Sequence, residues 1–230
     1  MNDNKSAHMA NEYDEKIRET IPYYDAFHLE TIDLVKSINA IPEKWLDTGC
    51  GTGNFISSAA KAFKGTKFVL ADPSKDMLDI ARQKISGAGC TELELLYPVP
   101  SGGIELPEEE FEVITAIQCH HYLDVEGRKE AIQNCFRMLK CNGVFITFEN
   151  IRPLSQVGTL IGLDRWKQFQ TSKGKSDEEA EKHIGRFDKE YFPITIEEHL
   201  ELLKEVGFSF VEVFWYSYMQ AGFYAIKGDV

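Results

Sequence analysis

The stretch Lys44-Trp45-Leu46-Asp47-Thr48-Gly49-Cys50-Gly51-Thr52-Gly53-Asn54 ends an apolar strand in a carboxylate and then sets glycine at every second position. Glycine tolerates φ > 0 and lets a ligand approach the main chain without meeting a Cβ. A helix opening at Asn54 would present unsatisfied N–H groups to an electron-rich ligand group. A second strand, Lys67-Phe68-Val69-Leu70-Ala71-Asp72, also ends in a carboxylate. It follows about 20 residues on, the spacing at which an acidic side chain receives a ribose diol. The third glycine comes one residue too early for G-x-G-x-x-G, and no phosphate-gripping G-x-x-x-x-G-K-S/T occurs. The competing reading is a glycine-rich turn and a strand-end Asp that bind nothing.

A further group, Gln118-Cys119-His120-His121-Tyr122, ends another apolar run, and Glu149-Asn150 ends the next. Ligands of open α/β sheets lie at the carboxyl ends of the strands, so these residues face the same crevice. His120 or His121 could take a proton from an acceptor heteroatom; the alternative is that they cap the strand and pack beside Tyr122. Glu149 fits either an acid/base role or an anchoring one. Cys119-His120-His121 lacks further ligands at sensible spacing, so no metal site is expected. Tyr13, Tyr23 and Tyr24 could cover the site, where aromatic faces favour a cation, or simply pack their own helices. Arg152, Arg165, Trp166 and Arg186 lie in a segment that interrupts the strand–helix rhythm. Cations beside apolar faces make a small-ligand pocket, although most such charges would be solvated helix faces.

These groups need a scaffold. Helical periodicity predicts helices over Tyr13–Thr20 and Asp25–Ile38, broken at Pro22. Strands are expected at Trp45–Asp47, Phe68–Ala71, Leu93–Leu96, Phe111–Ile117 and Val144–Phe148. Helices fall between them, at Asn54–Phe63, from the N-cap Ser74, and over Glu126–Leu139. This alternation calls for a doubly wound, mostly parallel sheet. Ile196–Val206 reads as a last helix, and the short link between Phe208–Tyr216 and Met219–Lys227 makes those strands an antiparallel pair. The organisation expected is an N-terminal helical lid (1–43), an α/β core (44–151), a helical insert (152–192), and a final helix and hairpin (193–230).

Composition narrows the setting. The chain has 230 residues, 43% hydrophobic, with a net charge of −12. That suits one α/β domain with a lid and argues against a phosphate-binding surface for nucleic acid. No apolar run approaches a membrane span, and the polar start, residues 1–11, reads as disordered without a signal peptide. The cysteines Cys50, Cys90, Cys119, Cys135 and Cys141 are odd in number and show no C-x-x-C, as expected of reduced thiols in a cytoplasm.

The pattern D-x-G-x-G-x-G at Asp47–Gly53 resembles motif I of class I S-adenosylmethionine (SAM) methyltransferases, and the likeness extends over almost the whole chain. Within them the chain is similar to the branch of carboxy-SAM synthase and tRNA uridine-5-oxyacetate methyltransferases. Ile21-Pro22-Tyr23-Tyr24-Asp25, Glu149-Asn150, Leu203–Phe208 and the aromatic hairpin carry that likeness. The resemblance implies a seven-stranded Rossmann-like methyltransferase fold with SAM as cofactor. Asp47, Gly49, Cys50, Gly51 and Gly53 would cradle its methionine part and Asp72 its ribose. Pro73, Ser74 and Met77 would flank the adenine, with Gln118 and Tyr23 completing the pocket. The Asp that the family places after strand three is missing from Leu96-Tyr97-Pro98-Val99-Pro100. Tyr24, Arg152, Arg165, Trp166 and Arg186 would hold the acceptor. The expected activity is methyl transfer to a small molecule by a monomer or homodimer. The alternatives are a tRNA-modifying or carboxy-SAM-forming enzyme, and a SAM-binding protein without turnover.

Overall fold

The computed structural model describes residues 6–38, 41–86 and 92–228. Its sheet has the strands β1 (Lys44–Asp47), β2 (Lys67–Leu70), β3 (Leu93–Leu95), β4 (Phe111–Ile117), β5 (Leu139–Asn150), β6 (Phe210–Ser217) and β7 (Gln220–Ile226). They lie in the order β3-β2-β1-β4-β5-β7-β6. Pairs among β1 to β5 are parallel, and β7 runs antiparallel to both β5 and β6. The chain order reverses between β1 and β4, and this is where doubly wound sheets carry their ligands. Trp45, Leu46, Phe68, Ile114 and Phe145 are wholly buried, as expected of strands covered on both faces.

Helices α1 (Tyr13–Thr20), α2 (Tyr24–Ile38), α3 (Asn54–Ala62) and α4 (Lys75–Ser86) precede β3. Then come α5 (Val125–Met138), α6 (Gln156–Ser172), α7 (Asp177–Ile184) and α8 (Ile196–Val206). Residues of α1 to α4 build a core on one face of the sheet, and α5 and α8 build the core of the other. Ser176 and Thr195 start α7 and α8 with reciprocal capping boxes. Gly207, at φ +118°, ends α8 in the left-handed conformation that favours glycine.

Some boundaries differ from expectation. β5 begins at Leu139, directly after α5, and not at Val144. Its pairing with β4 jumps from Phe111↔Leu139 to Val113↔Val144, because Asn142 takes φ +62° and throws out a bulge. Residues 6–11 form bends and turns, and His8 Nε2 sits 2.7 Å from Thr20 Oγ1. Residues 1–5 and Cys90 lie outside the described residues. Among those described, no helix is long and apolar enough to cross a membrane.

Trp166 shows how the insert is fixed. It is wholly buried, and its indole N–H donates to the Thr20 carbonyl at 2.7 Å, joining α6 to the end of α1. It is therefore a packing residue and not an acceptor contact as the sequence suggested. Trp166→Ala should cost about 3–5 kcal/mol through its cavity and the unpaired carbonyl. A urea titration showing less than about 1 kcal/mol would contradict this packing role.

Candidate cofactor and acceptor site

The carboxyl ends of β1, β2 and β4 open into a crevice of about 210 Å³. Gly49, Gly51, Asp72, Pro73, Met77 and Gln118 line it. A smaller pocket continues around the glycine loop to Asp47, Cys50 and Tyr24. The loop turns through Gly51 and Gly53, at φ +51° and +77°. A Cβ at Gly51 would meet no protein atom, so that face of the loop opens to a ligand. At Gly53 it would stand 2.9 Å from Ile85, so this glycine serves the packing of α3 on α4. Gly49 lies against Cys119 in the same manner.

Asp72 holds the loop in place. Its carboxylate accepts the Gly51 N–H at 2.9 Å and the Ser74 N–H at 2.9 Å. A carboxylate offers about four acceptor sites, so this geometry is compatible with a ribose diol as well. Asp47 sits deeper, 1% exposed, and accepts from Thr115 Oγ1 at 3.1 Å. Burial pushes its carboxyl up to about 7, only partly countered by Thr115. Ser74 takes the capping role read from the sequence and not the adenine-flanking one that the resemblance implied. Its hydroxyl accepts the Met77 N–H and caps α4, wholly buried and away from the crevice lining. Tyr23 is also displaced: at 61% exposure it packs against Trp215 and Tyr218. Its neighbour Tyr24 takes the place near the loop together with Tyr13, so the acceptor role expected of Tyr24 is not where the structure puts it.

The histidines divide. Glu149, wholly buried, accepts from the backbone N–H of His120 and His121, from His121 Nδ1 at 2.7 Å and from Thr147 Oγ1 at 2.6 Å. Glu149 and His121 are thus engaged in shaping the strand end and are withdrawn from an acceptor. His120 remains in the crevice wall, and neither ring nitrogen has a hydrogen-bond partner among the described residues. Burial pushes it down to about 4, so it is neutral near pH 7.

The arginines of the insert scatter. Arg152 pairs with Asp188 and lies over the Phe187 ring. Arg165 is exposed and stacks on Tyr218. Only Arg186 faces the site, bonded to Glu190 at 2.6 Å and to the Tyr122 hydroxyl. It lines a second chamber of about 430 Å³ between α1 and α7, with His8, Lys16, Lys175 and His183. Ser6 borders both spaces, and Tyr122 and Arg186 face each other across their partition. Lys175 Nζ reaches Thr20 Oγ1 at 2.5 Å and Gln170 Oε1 at 3.1 Å, and burial pushes it down to about 8. Pairwise spacing could not reveal Thr48, Pro100, Ser101 or Leu123 in the crevice, or Lys175 in the chamber; only the fold assembles them.

Burial alone would raise the Glu149 pKa, but the bonds from His121 and Thr147 outweigh it and hold the carboxyl at about 2. Its contribution to stability is complete above the ordinary 4.5 and is lost as pH falls through about 2. Glu149→Gln should therefore lower the denaturation midpoint at neutral pH and flatten its decline in that acid window. Parallel profiles for wild type and variant would refute it.

The methyltransferase-domain family matches residues 46–145. A carboxy-S-adenosyl-L-methionine synthase of Nautilia profundicola is 24% identical over 205 residues, covering 89% of this chain and 86% of the relative. Human N-acetylserotonin methyltransferase, solved with SAM, aligns at a TM-score of 0.60 and 14% identity. That match covers 98% of this chain, which spans 60% of the human protein. SpnF, a cyclase of the 4+2 type, shares the fold at a TM-score of 0.62 and 15% identity, covering 86% of this chain and 80% of its own. The fold alone thus carries more than one chemistry; the matched domain and the enzyme-named relatives narrow it. Residues 46–145 thus match a methyltransferase domain, and the chain as a whole resembles class I SAM-dependent methyltransferases, with carboxy-SAM synthases among its relatives.

Proposed function

We propose that this chain transfers the methyl group of SAM to a small organic acid. The observation that carries the reading is the chamber next to the cofactor crevice, where Lys175 is desolvated and bonded to a hydroxyl and an amide. An anionic group would gain most from a cation so placed. Asp47, the glycine loop and Asp72 would hold SAM, with Pro73 and Met77 beside the adenine. The methyl carbon is already activated by the sulfonium, so the chain's task is to align the acceptor and exclude water. His120, neutral in the wall and with both ring nitrogens unpartnered among the described residues, is placed to hydrogen-bond the acceptor. With a net charge of −12, nucleic acid is not the expected partner. A second reading, formation of carboxy-SAM, is favoured by the names of the relatives and by Arg186 at the chamber wall. Mass spectrometry of the ligand retained on purification separates the two cofactors.

Release of S-adenosylhomocysteine (SAH) on incubation with SAM and pooled carboxylic acids tests the proposal. Lys175→Met should lower turnover at least about tenfold while SAM affinity stays within about twofold. Equal turnover would sink the acid-acceptor reading, and a salt-sensitive shift of bulk tRNA would move the activity to RNA.

Calorimetry tests the cofactor half. Asp72→Ala removes charge-assisted bonds of about 1.5–3 kcal/mol each, partly offset by water, and also releases the Gly51 loop. Unchanged SAM affinity would remove Asp72 from the ribose. A cationic ligand favours ionised Asp47, so affinity should rise with pH through about 7 and then level. Asp47→Asn should abolish that dependence.

A further inference from the structure

The glycine loop is gripped from outside the sheet by a helix that precedes it by some thirty residues in the chain. Asp14, on α1, accepts Thr52 Oγ1 at 2.5 Å and Asn54 Nδ2 at 2.7 Å on one oxygen. Its other oxygen accepts Lys84 Nζ, on α4, at 2.5 Å. Lys84 also donates to Asn54 Oδ1 at 2.5 Å and to Thr52 Oγ1 at 3.2 Å. This closed network explains the residues around the third glycine. Asn54, the first residue of α3, and Thr52 turn their polar ends outward to α1 while Gly51 faces the crevice.

The rest of α1 touches both ligand spaces. Tyr13, next to Asp14, lines the crevice and the pocket under the loop, edge-on to Tyr24. Lys16 and Glu19 line the chamber, and Thr20 accepts Lys175. A ligand lying between the loop and Tyr13 therefore meets α1 on its way out.

We infer that Asp14 is a positioning residue for methyl transfer, clamping α1 over the occupied glycine loop so that cofactor loading and completion of the acceptor chamber occur together. The inference rests on the cofactor reading above. Asp14 acts through Thr52, Asn54 and Lys84 and touches no reacting atom. A half-exposed ion pair contributes little to global stability, so retention of the ligand is the informative readout.

SAH is the probe, and its dissociation is followed by stopped-flow displacement. Asp14→Ala should release SAH about tenfold faster, with association within about twofold, because the loss falls on escape rather than on encounter. Amides of residues 13–20 should gain hydrogen-exchange protection from SAH in the wild type and not in Asp14→Ala at saturating SAH. Asp14→Asn, which keeps an acceptor for the hydroxyl and amide but loses the charge facing Lys84, should recover part of the retention. Lys84→Met opens the network from α4 and should also speed release, which covers the case of an Asp14→Ala chain that does not fold. Equal dissociation rates in wild type and the folded variants overturn the clamp alone if Asp72→Ala still weakens SAH binding. Absence of SAH binding to the wild type overturns the cofactor reading and the clamp with it.

Discussion

The site depends on one carboxylate bridging two loops. Asp72 leaves the end of β2, takes the N–H of Gly51 from the β1 loop, and takes the N–H of Ser74 at the head of α4. A glycine-rich loop has high conformational entropy when unconstrained, and fixing it in advance removes part of the cost of binding. The neighbouring Asp47 reaches the same loop through the Gly49 backbone and is tied to the sheet through Thr115. The first two strand ends thus hold the loop at two points, Asp72 at Gly51 and Asp47 at Gly49, and Asp47 also places a titratable group beneath it.

On the far side of the crevice a different carboxylate does comparable work. Glu149 gathers the backbone of His120 and His121 and the ring of His121 onto the end of β5. A buried charge with this many donors is satisfied rather than strained. It fixes where His120 and Tyr122 face, and Tyr122 in turn meets Arg186. The β4 end therefore connects the crevice to the chamber.

Most of the core was legible in the sequence because strand length, buried apolar runs and glycine spacing are local properties. Asp47, Gly49, Gly51, Asp72, Met77 and Gln118 all come together at the β1–β4 switch point, as expected. What proved illegible was direction. Tyr23 and Tyr24 are adjacent, yet Tyr23 takes φ +57° just ahead of α2, and only Tyr24 turns inward. Ser74 had two uses open to a hydroxyl after a proline, and the helix took it as a cap. Arg152, Arg165 and Arg186 share an insert and a residue type, but only the last, in the turn after α7, lines the chamber. Lys175 sits in a short polar stretch with nothing local to mark it, and the packing of α1 against α6 is what covers it.

The burial of the histidines has its own effect on how the protein meets changes of acidity. His8, His28 and His120 are pushed down to about 4, His199 to about 3, and His183 lower than usual, all primarily by burial. Two other side chains are moved toward neutrality instead, Asp47 up to about 7 and Lys175 down to about 8. One lies under the cofactor loop and the other lies in the chamber, and they want opposite things of the solvent. Alkali charges the first and discharges the second. On the proposed assignment, the cationic cofactor and the anionic acceptor are both held well only in the interval between these values. The protein then carries a narrow alkaline operating band written by a carboxylate and an ammonium, the two residue types least expected to set it.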